Sequence, residues 1–402
     1  GDLAVCANGA QYRKDIRGFL PEMMDTIYEE RTIYKKKMLQ AKRYNETNPT
    51  AQLQRDISKF NNIQMARKIQ LNSAYGAIGN QYFRYYNLSN AEAITLSGQV
   101  SIRWIENKMN MYLNKILKTE EVDYVVASDT DSIYLHLGPL VQSVFKGREV
   151  SNEKIVNFLD KVCDMELEKY ISSSYEELAD YVAAYDQKMF MKRETIAEKG
   201  IWTAKKRYIL NAWDIEGVRF EKPKLKMMGI EAVKSSTPGA CRQKIKDALN
   251  VIMNQGEEEA QEFIADFRNH FNELPIEDIA FPRGCNNLNK WANPATVYSK
   301  GTPIHVRGSL LYNFYIKKGK LTHKYPLIQN GEKIKFVYLK TPNKINENVV
   351  SFFQTFPTEL GLDKQVDYDL QFEKSFLEPI KVIMDKIGWK PEKIANLEFL
   401  FG

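Results

Sequence analysis

Two carboxylates one residue apart are the clearest chemical feature of this sequence. Asp129 and Asp131 lie in the run Ser128–Ser132, between the short apolar stretches Val122–Ala127 and Ile133–Leu135. The β-type residues on both sides predict a β-hairpin whose tip displays the two aspartates. Mg²⁺ takes oxygen ligands, and few of them from protein when phosphates supply the rest, so the pair predicts a site for a hard divalent cation. A solvated turn with Asx hydrogen bonds is the alternative.

A second polar group is predicted on one face of a helix. Lys68, Asn72, Tyr75, Gly76 and Gly79 are spaced by four, three, one and three residues, which places them on one side of an α-helix. A cation, an amide, an aromatic ring and two glycines are unsuited to a core. The lysine can hold a triphosphate, the amide can donate hydrogen bonds, and the glycines leave room for a base pair to lie flat. A solvated helix face is the alternative.

Arg31 and Lys35 form a second cationic pair, four residues apart. The segments Pro21–Arg43 and Leu53–Ile78 are both typical of long helices, and the stretch Tyr44–Thr50 between them is rich in turn-forming residues. The sequence therefore predicts an antiparallel helical hairpin, in which this pair can grip phosphate. A solvated face remains the alternative for these two residues.

Further along the chain, the sequence predicts a third helix and then a mixed region. The segment Asn90–Lys118 is expected to be helical and to bury an apolar stripe. That stripe consists of Ile105, Met109, Tyr112 and Ile116. Further helices are expected at about Ser151–Tyr185, Cys241–Asn254 and Glu257–Phe271. Extended segments are expected at Met189–Ile196, Trp202–Trp213 and Lys222–Met228.

Composition sets limits on the kind of protein. The 402 residues, 44% hydrophobic and 27% charged, suffice for two or three subdomains with their own cores. The net charge of +6 suits a polyanionic partner without requiring one. The four cysteines show no CxxC spacing, so neither a zinc site nor a disulfide framework is indicated. No signal peptide or membrane span is expected. The chain opens with Gly1, which we interpret as a cut, spliced or separately assembled piece of a larger protein.

Three motifs resemble those of family B DNA polymerases. The run Lys68–Asn80 resembles their fingers motif KxxxNSxYG, Ser128–Ser132 resembles their palm motif YGDTDS, and Ala204–Tyr208 resembles their KKRY motif. The three occur in the family's order and at compatible spacing, which makes the resemblance specific. Shorter segments resemble the replicative polymerases of T-even-type bacteriophages, namely Phe83–Tyr86, Asn90–Ile94, Lys224–Gly229, Lys234–Pro238 and His305–Gly308.

The resemblance implies a role for each matching residue. Asp129 and Asp131 match the palm aspartates that hold two Mg²⁺ ions, and Glu194 matches a third acidic residue near them. The fingers residues that match groups holding the incoming dNTP are Arg31, Lys35, Lys68 and Asn72. Tyr75 matches the ring beneath the nascent base pair, and Lys68 is placed to protonate the leaving group. Residues matching the primer-binding motif are Lys205, Lys206, Arg207 and Tyr208. The apolar tail that resembles a sliding-clamp peptide contains Leu397, Phe399, Leu400 and Phe401.

The implied fold is an α+β right-hand polymerase fragment, with an antiparallel palm sheet, helical-hairpin fingers and a mixed α/β thumb. The expected domains are a palm remnant or connector (1–17), fingers (18–80), palm (81–229) and a thumb with a clamp-binding tail (230–402). The implied activity is template-directed addition of dNMP to a primer 3′-hydroxyl. The implied partners are primer–template DNA, dNTP and a sliding clamp, in the cytoplasm of an infected bacterial host.

Two departures from the family pattern matter. Ala127 and Ser128 stand where the family usually has Tyr-Gly, and the other palm motif, DxxSLYP, has no counterpart in the sequence. We therefore expect activity only with a second, N-terminal chain that carries that motif and the exonuclease. One alternative is a non-catalytic subunit that binds DNA and the sliding clamp. An RNA-directed polymerase is a further alternative, disfavoured because KxxxNSxYG and DTDS occur together.

Overall fold

The chain folds into two compact units. In the computed structural model, which describes residues 3–146 and 148–393, the first unit comprises Gly1–Glu198 with Ala212–Lys224 and the second Lys199–Asn211 with Leu225–Gly402. Helices and strands are mixed throughout the described residues, which confirms the predicted α+β class. None of the helices in these ranges is both long and apolar enough to cross a membrane.

The first unit is mainly helical. Its helices are α1 (Phe19–Thr47), α2 (Ala51–Ile78), α3 (Leu88–Leu117), α4 (Gly138–Phe145), α5 (Asn152–Val162) and α6 (Glu168–Tyr181). Its strands are β1 (Leu3–Val5), β2 (Gln11–Arg13), β3 (Val125–Asp129) and β4 (Ser132–Leu135). Strands β1 and β2 pair antiparallel, as do β3 and β4.

Three strands contain residues of both units, and the remaining elements belong to the second. The shared strands are β5 (Thr195–Ala204), β6 (Arg207–Ile215) and β7 (Val218–Met228). The helices of the second unit are α7 (Gly239–Asn254), α8 (Glu257–Phe271), α9 (Ile276–Ile279), α10 (Leu288–Trp291), α11 (Ile304–Lys318), α12 (Tyr368–Phe372) and α13 (Glu378–Lys386). Its strands are β8 (Phe281–Gly284), β9 (Ala292–Asn293), β10 (Val297–Tyr298), β11 (Lys333–Tyr338) and β12 (Val349–Phe352).

The predicted helical hairpin is formed by α1 and α2, but its loop is shorter than expected. Helix α1 continues through the expected turn as far as Thr47, and α2 begins at Ala51. Asn48 leaves the helical conformation because it precedes a proline, which disfavours helical backbone at that position. The Thr50 hydroxyl then accepts the Leu53 N–H over 3.1 Å and caps α2. The break is therefore confined to three residues.

Helix α3 provides the core of the first unit. Ile105, Met109 and Leu113 are fully buried and pack against residues of α6. The Tyr112 ring stacks on Tyr170 with centroids 4.1 Å apart. The predicted stripe was wrong at its last residue, since Ile116 is 44% exposed and Leu113 lies inside instead. The buried positions are spaced by four residues, so the contact surface follows one ridge of the helix rather than the mean 3.6 period.

The central extended region differs from the prediction. Residues 189–194 are not in a strand, and the expected single segment Trp202–Trp213 is broken between β5 and β6 by the two-residue turn Lys205–Lys206. Lys206 has a φ of 59°, the left-handed conformation that such hairpin turns require. Strands β6 and β7 are joined by a second two-residue turn, Glu216–Gly217. The order β5-β6-β7 with these short connections makes the sheet antiparallel.

The second unit packs helices against a three-stranded sheet. Strand β11 pairs antiparallel with β8 on one side and β12 on the other. Helix α11 lies so close to β12 that a Cβ on Gly308 would be 2.5 Å from the Ser351 Oγ. Phe267, Phe372 and Phe376 form an aromatic cluster in the core. Gly308 therefore serves close packing in the segment His305–Gly308.

A buried ionic network lies at the end of β6 in the first unit. The Asp214 carboxylate is fully buried and accepts hydrogen bonds from Arg193, from the Arg219 Nε over 2.6 Å and from the Gly217 N–H over 2.8 Å. Asp160 bridges the same two arginines, over 2.5 Å to Arg193 and 3.0 Å to Arg219. Burial alone would raise the pKa of Asp160, but the two guanidinium groups hold that pKa below its ordinary value.

Replacing Asp214 with alanine is expected to lower the free energy of unfolding by about 3 to 5 kcal/mol, because it leaves partly buried guanidinium groups without their shared anion. The measurement is urea denaturation of the full chain. Asp186→Ala, at an exposed aspartate of the same unit, is the control and is expected to change the unfolding free energy by less than about 0.5 kcal/mol. Equal effects of both substitutions would contradict a structural role for the network.

Candidate functional site

The hairpin predicted around the two aspartates is present. Asp129 pairs with Ser132, and Thr130 and Asp131 form the two-residue turn, with Thr130 at a φ of 55°. The Asp131 side chain is exposed and Asp129 is half-buried. The Thr130 hydroxyl lies 3.0 Å from the Asp129 Oδ1, so the turn also has the local hydrogen bond of the alternative interpretation. The tip nevertheless presents two carboxylates on one turn.

Helix α3 fixes the base of this hairpin. The Asn110 Oδ1 accepts the N–H groups of Tyr124 and Val125 over 2.9 and 3.0 Å. Nearer the tip, the Ser128 hydroxyl donates to the Glu106 Oε2 over 3.3 Å. Ser128 lies in β3 and is not among the residues with left-handed backbone, so serine replaces the family's usual glycine without backbone strain. The hairpin is thus held at both ends by polar groups of α3.

The donor atoms at the tip fit a hard divalent cation in part. Two carboxylates are suitable oxygen ligands for Mg²⁺, which usually keeps water or phosphate in its other positions. Within residues 3–146 and 148–393, however, no group of three or more His, Cys, Asp and Glu side chains is arranged to hold a metal ion. Glu194 therefore does not complete a three-carboxylate cluster with Asp129 and Asp131 in this structure. Its metal-adjacent role stays a prediction.

Glu194 lies on a tightly held backbone segment just before β5. The Arg193 N–H donates to the Glu168 Oε1 over 2.7 Å, and the Glu194 carbonyl accepts the Glu216 N–H over 2.6 Å. The Arg193 side chain is anchored by Asp214. The position of this exposed glutamate is thus set by neighbours on three other elements.

The polar face of α2 is exposed, as its composition suggested. Lys68, Asn72 and Gly76 are solvent-exposed, and the Tyr75 side chain is 42% exposed. A Cβ added to Gly76 would have no heavy atom within 4 Å, so the space above it is open. These four residues are therefore available to a ligand. Their roles in nucleotide binding stay predictions.

The two residues of α1 that were predicted to bind phosphate, Arg31 and Lys35, are in different environments. Lys35 forms an ion pair of 2.5 Å with Glu216, in the turn between β6 and β7; the side chains are 34% and 20% exposed, respectively. The Arg43 Nη2 donates to the Glu216 carbonyl over 3.4 Å. Arg31 is half-buried, and its Nε has no hydrogen-bond partner among the described residues. An unpaired, shielded guanidinium nitrogen is a feature that an anionic ligand would satisfy.

The predicted primer-binding motif divides between surface and interior. Lys205 and Lys206 are exposed at the turn between β5 and β6. Arg207 makes a bidentate ion pair with Glu231, at 2.8 Å for both hydrogen bonds, and the Tyr208 side chain is only 5% exposed. The two lysines are thus the members of the motif that face solvent in this unit.

The predicted clamp-binding residues lie outside the described part of the chain. Leu397, Phe399, Leu400 and Phe401 all fall after residue 393. The interpretation of the tail as a clamp peptide therefore stays a prediction.

Several residues that shape the site carried no motif. Glu216, Asp214, Glu231 and Asn110 each act on residues far away in the sequence, so no local pattern predicts their partners. The one local signal was an acidic residue flanked by apolar ones, as Asp214 is by Trp213 and Ile215 in β6. Such a residue is expected to be paired when it is buried.

Comparison with known proteins agrees with the motifs. The chain matches the family described as DNA polymerase family B over residues 4–387. The DNA-directed DNA polymerase of Enterobacteria phage T4 is 35% identical over 354 residues, which cover 85% of this chain and 39% of that protein. The DNA-directed DNA polymerase of Escherichia phage RB69 is 33% identical over 454 residues, covering 100% of this chain and 50% of that protein.

A more distant relative extends the same match. The DNA polymerase of Thermococcus gorgonarius is 23% identical over 395 residues, covering 96% of this chain and 41% of that protein. The chain thus spans half or less of the length of these three relatives. The family match covers nearly all of the described residues, including the hairpin, the α2 face and the lysine turn. This chain belongs to DNA polymerase family B.

Proposed function

We propose that this chain carries out the nucleotide-adding steps of template-directed DNA synthesis. One observation carries the proposal: a member of this family presents two carboxylates, one exposed and one half-buried, at the tip of the Ser128–Ser132 hairpin, together with an exposed polar face on α2. The same unit thus offers groups for a metal-bound triphosphate and groups that hold its phosphates. A DNA-binding tether would need none of these side chains.

Asp129 and Asp131 would hold the divalent cations, for which their oxygen atoms are suitable ligands. When bound, Mg²⁺ lowers the pKa of the attacking hydroxyl and balances the charge of the triphosphate. The chain's own contribution at this point is to fix both carboxylates on one short turn. That turn is held by α3 through Asn110 and Glu106.

The remaining groups would hold and align the nucleotide. Lys68 would contact the triphosphate and donate a proton to the leaving pyrophosphate, while Asn72 donates a hydrogen bond. The Tyr75 ring and the open space above Gly76 would receive the nascent base pair. Arg31 would contact the phosphate oxygens through its guanidinium group.

The proposed partners are residues that complete the palm, an exonuclease and a sliding clamp. The sequence contains no counterpart of the DxxSLYP motif, and we propose that residues outside it, on the same polypeptide or on a second chain, supply a further carboxylate. We propose that those residues and an exonuclease assemble with this chain. We also propose that the tail binds a sliding clamp and that the complex works in the cytoplasm of an infected bacterium.

Asp131→Asn is expected to reduce primer extension by about 10³-fold or more, since it removes about 4 kcal/mol of transition-state stabilisation at a metal ligand. The assay follows extension of a labelled primer by this chain together with a polypeptide that supplies the DxxSLYP motif. Asp186→Asn is the matched control and should retain full activity. Primer–template binding is measured in parallel and should change little.

Three outcomes decide this proposal. Extension by the wild-type assembly and its loss in Asp131→Asn support it. Extension that survives the substitution would rule out Asp131 as a metal ligand. An assembly that binds DNA but extends no primer, at any metal concentration, would favour a non-catalytic tether.

Glu216→Gln is expected to strengthen dNTP binding by about two- to fivefold. The substitution removes the carboxylate that pairs with Lys35, so the lysine can bind phosphate without first breaking that ion pair. A partly exposed ion pair contributes up to about 1 kcal/mol, which sets the size of the effect. The measurement is the apparent KM for dNTP in the same assay. Glu221→Gln, at an exposed glutamate of β7, is the control. Lys35→Ala should weaken dNTP binding, and an unchanged KM in that variant would contradict a phosphate contact.

A further inference from the structure

The backbone at Gly229 packs directly against the Lys205–Lys206 turn. Gly229, at the end of β7, has a φ of 66°, and a Cβ at this position would lie 2.2 Å from the Lys206 carbonyl oxygen. No side chain can occupy that space without moving the turn. The two exposed lysines are therefore carried on a loop whose position depends on the chain at Gly229.

Arg207, directly after the lysines, makes hydrogen bonds within the protein through both of its terminal nitrogens. Its Nη1 donates to the Glu231 Oε1 and its Nη2 to the Glu231 Oε2, each over 2.8 Å, and Nη1 also donates to the Gly229 carbonyl over 3.0 Å. The side chains of both ionic partners are about three-quarters buried. A bidentate pair of this kind is strong and orientation-specific, so Arg207 is not turned toward a ligand.

Glu231 connects this turn to the segment that contains Lys234. Its Oε1 also accepts a hydrogen bond from the Lys234 Nζ over 3.0 Å, and its carbonyl accepts the Thr237 hydroxyl over 2.7 Å. Burial alone would raise the pKa of the Glu231 carboxyl, but Arg207 and Lys234 outweigh burial and lower that pKa to about 2. Glu231 is therefore ionised at neutral pH and holds both segments at once.

We infer that Arg207 and Glu231 are positioning residues, which hold the Lys205–Lys206 turn against the DNA backbone, and that Arg207 does not itself contact DNA. The inference rests on the proposed function, because it assumes that the turn meets primer–template DNA. It assigns the phosphate contacts of the motif to the exposed lysines. Glu231, an acidic residue, thereby becomes a requirement for binding a polyanion.

The two roles of Arg207 predict opposite effects of one substitution. If Arg207 contacted phosphate, Glu231 would compete with the DNA, and Glu231→Gln would strengthen binding. If the pair positions the turn, Glu231→Gln releases Arg207 and the turn, and binding weakens. The sign of the change therefore separates the two roles.

The experiment uses anisotropy to measure binding of a fluorescently labelled primer–template over a range of salt concentrations. The protein is this chain assembled with a polypeptide that supplies the DxxSLYP motif. Glu231→Gln is expected to weaken binding about three- to tenfold. Glu273→Gln removes the same charge at an exposed site and is expected to leave affinity within about twofold. Lys205→Ala is expected to reduce the slope of log affinity against log salt by about 0.9, the value for one lost phosphate contact.

Two further variants guard against a simple folding defect. Arg207→Lys keeps a charge that can contact phosphate but cannot form the bidentate pair, so a positioning role predicts weaker binding and a direct contact predicts little change. In the exchanged pair Arg207→Glu with Glu231→Arg, affinity should recover to at least half of the wild-type value. Circular dichroism melting identifies variants that are unfolded at the assay temperature.

The outcomes distinguish this inference from the proposed function. A wild-type assembly that binds no primer–template overturns both. If the wild type binds and Glu231→Gln binds as tightly or more tightly, the positioning role is wrong and the proposed function stands. An exchanged pair that binds no better than Arg207→Glu alone also overturns the positioning role.

Discussion

The first unit depends on one buried anion, the Asp214 carboxylate. It has no access to solvent, and an isolated charge at such a place would be strongly unfavourable, so the chain surrounds it with Arg193, Arg219 and the Gly217 N–H. These contacts fix the segment before β5 and the turn after β6 relative to each other. Glu194 lies on the first of these and Glu216 on the second, so the positions of these two residues depend on this carboxylate.

The second unit also has a shielded ion pair, at the turn between β5 and β6. There the partly buried pair of Arg207 and Glu231 joins the exposed lysines to the segment Lys234–Pro238. In both units, an ion pair lies directly next to residues that match polymerase motifs. The motifs themselves are largely exposed, and short irregular segments hold exposed charges poorly. Ion pairs of this kind fix the positions of these segments, which have little regular backbone hydrogen bonding of their own.

Sequence patterns predicted those elements whose causes are local. The helical hairpin, α3 and the hairpin around Asp129 all formed, because their periodicity and turn residues act over a few neighbours. The errors have equally definite causes. The α1–α2 loop was too long in the prediction because a proline and a threonine cap set the break. The strand over Trp202–Trp213 was not continuous because Lys206 adopts a left-handed turn above Gly229.

The sequence by itself determined the family, the α+β class and the chemical character of the site: paired aspartates, a cationic and aromatic helix face, and a basic turn. These follow from residue types at fixed spacing. Only the tertiary structure decided which charges are engaged, placing Glu216 on Lys35, Glu231 on Arg207 and the Tyr208 ring in the interior. The physical reason is that ion pairing and burial depend on neighbours more than twenty residues away, and no local pattern encodes them.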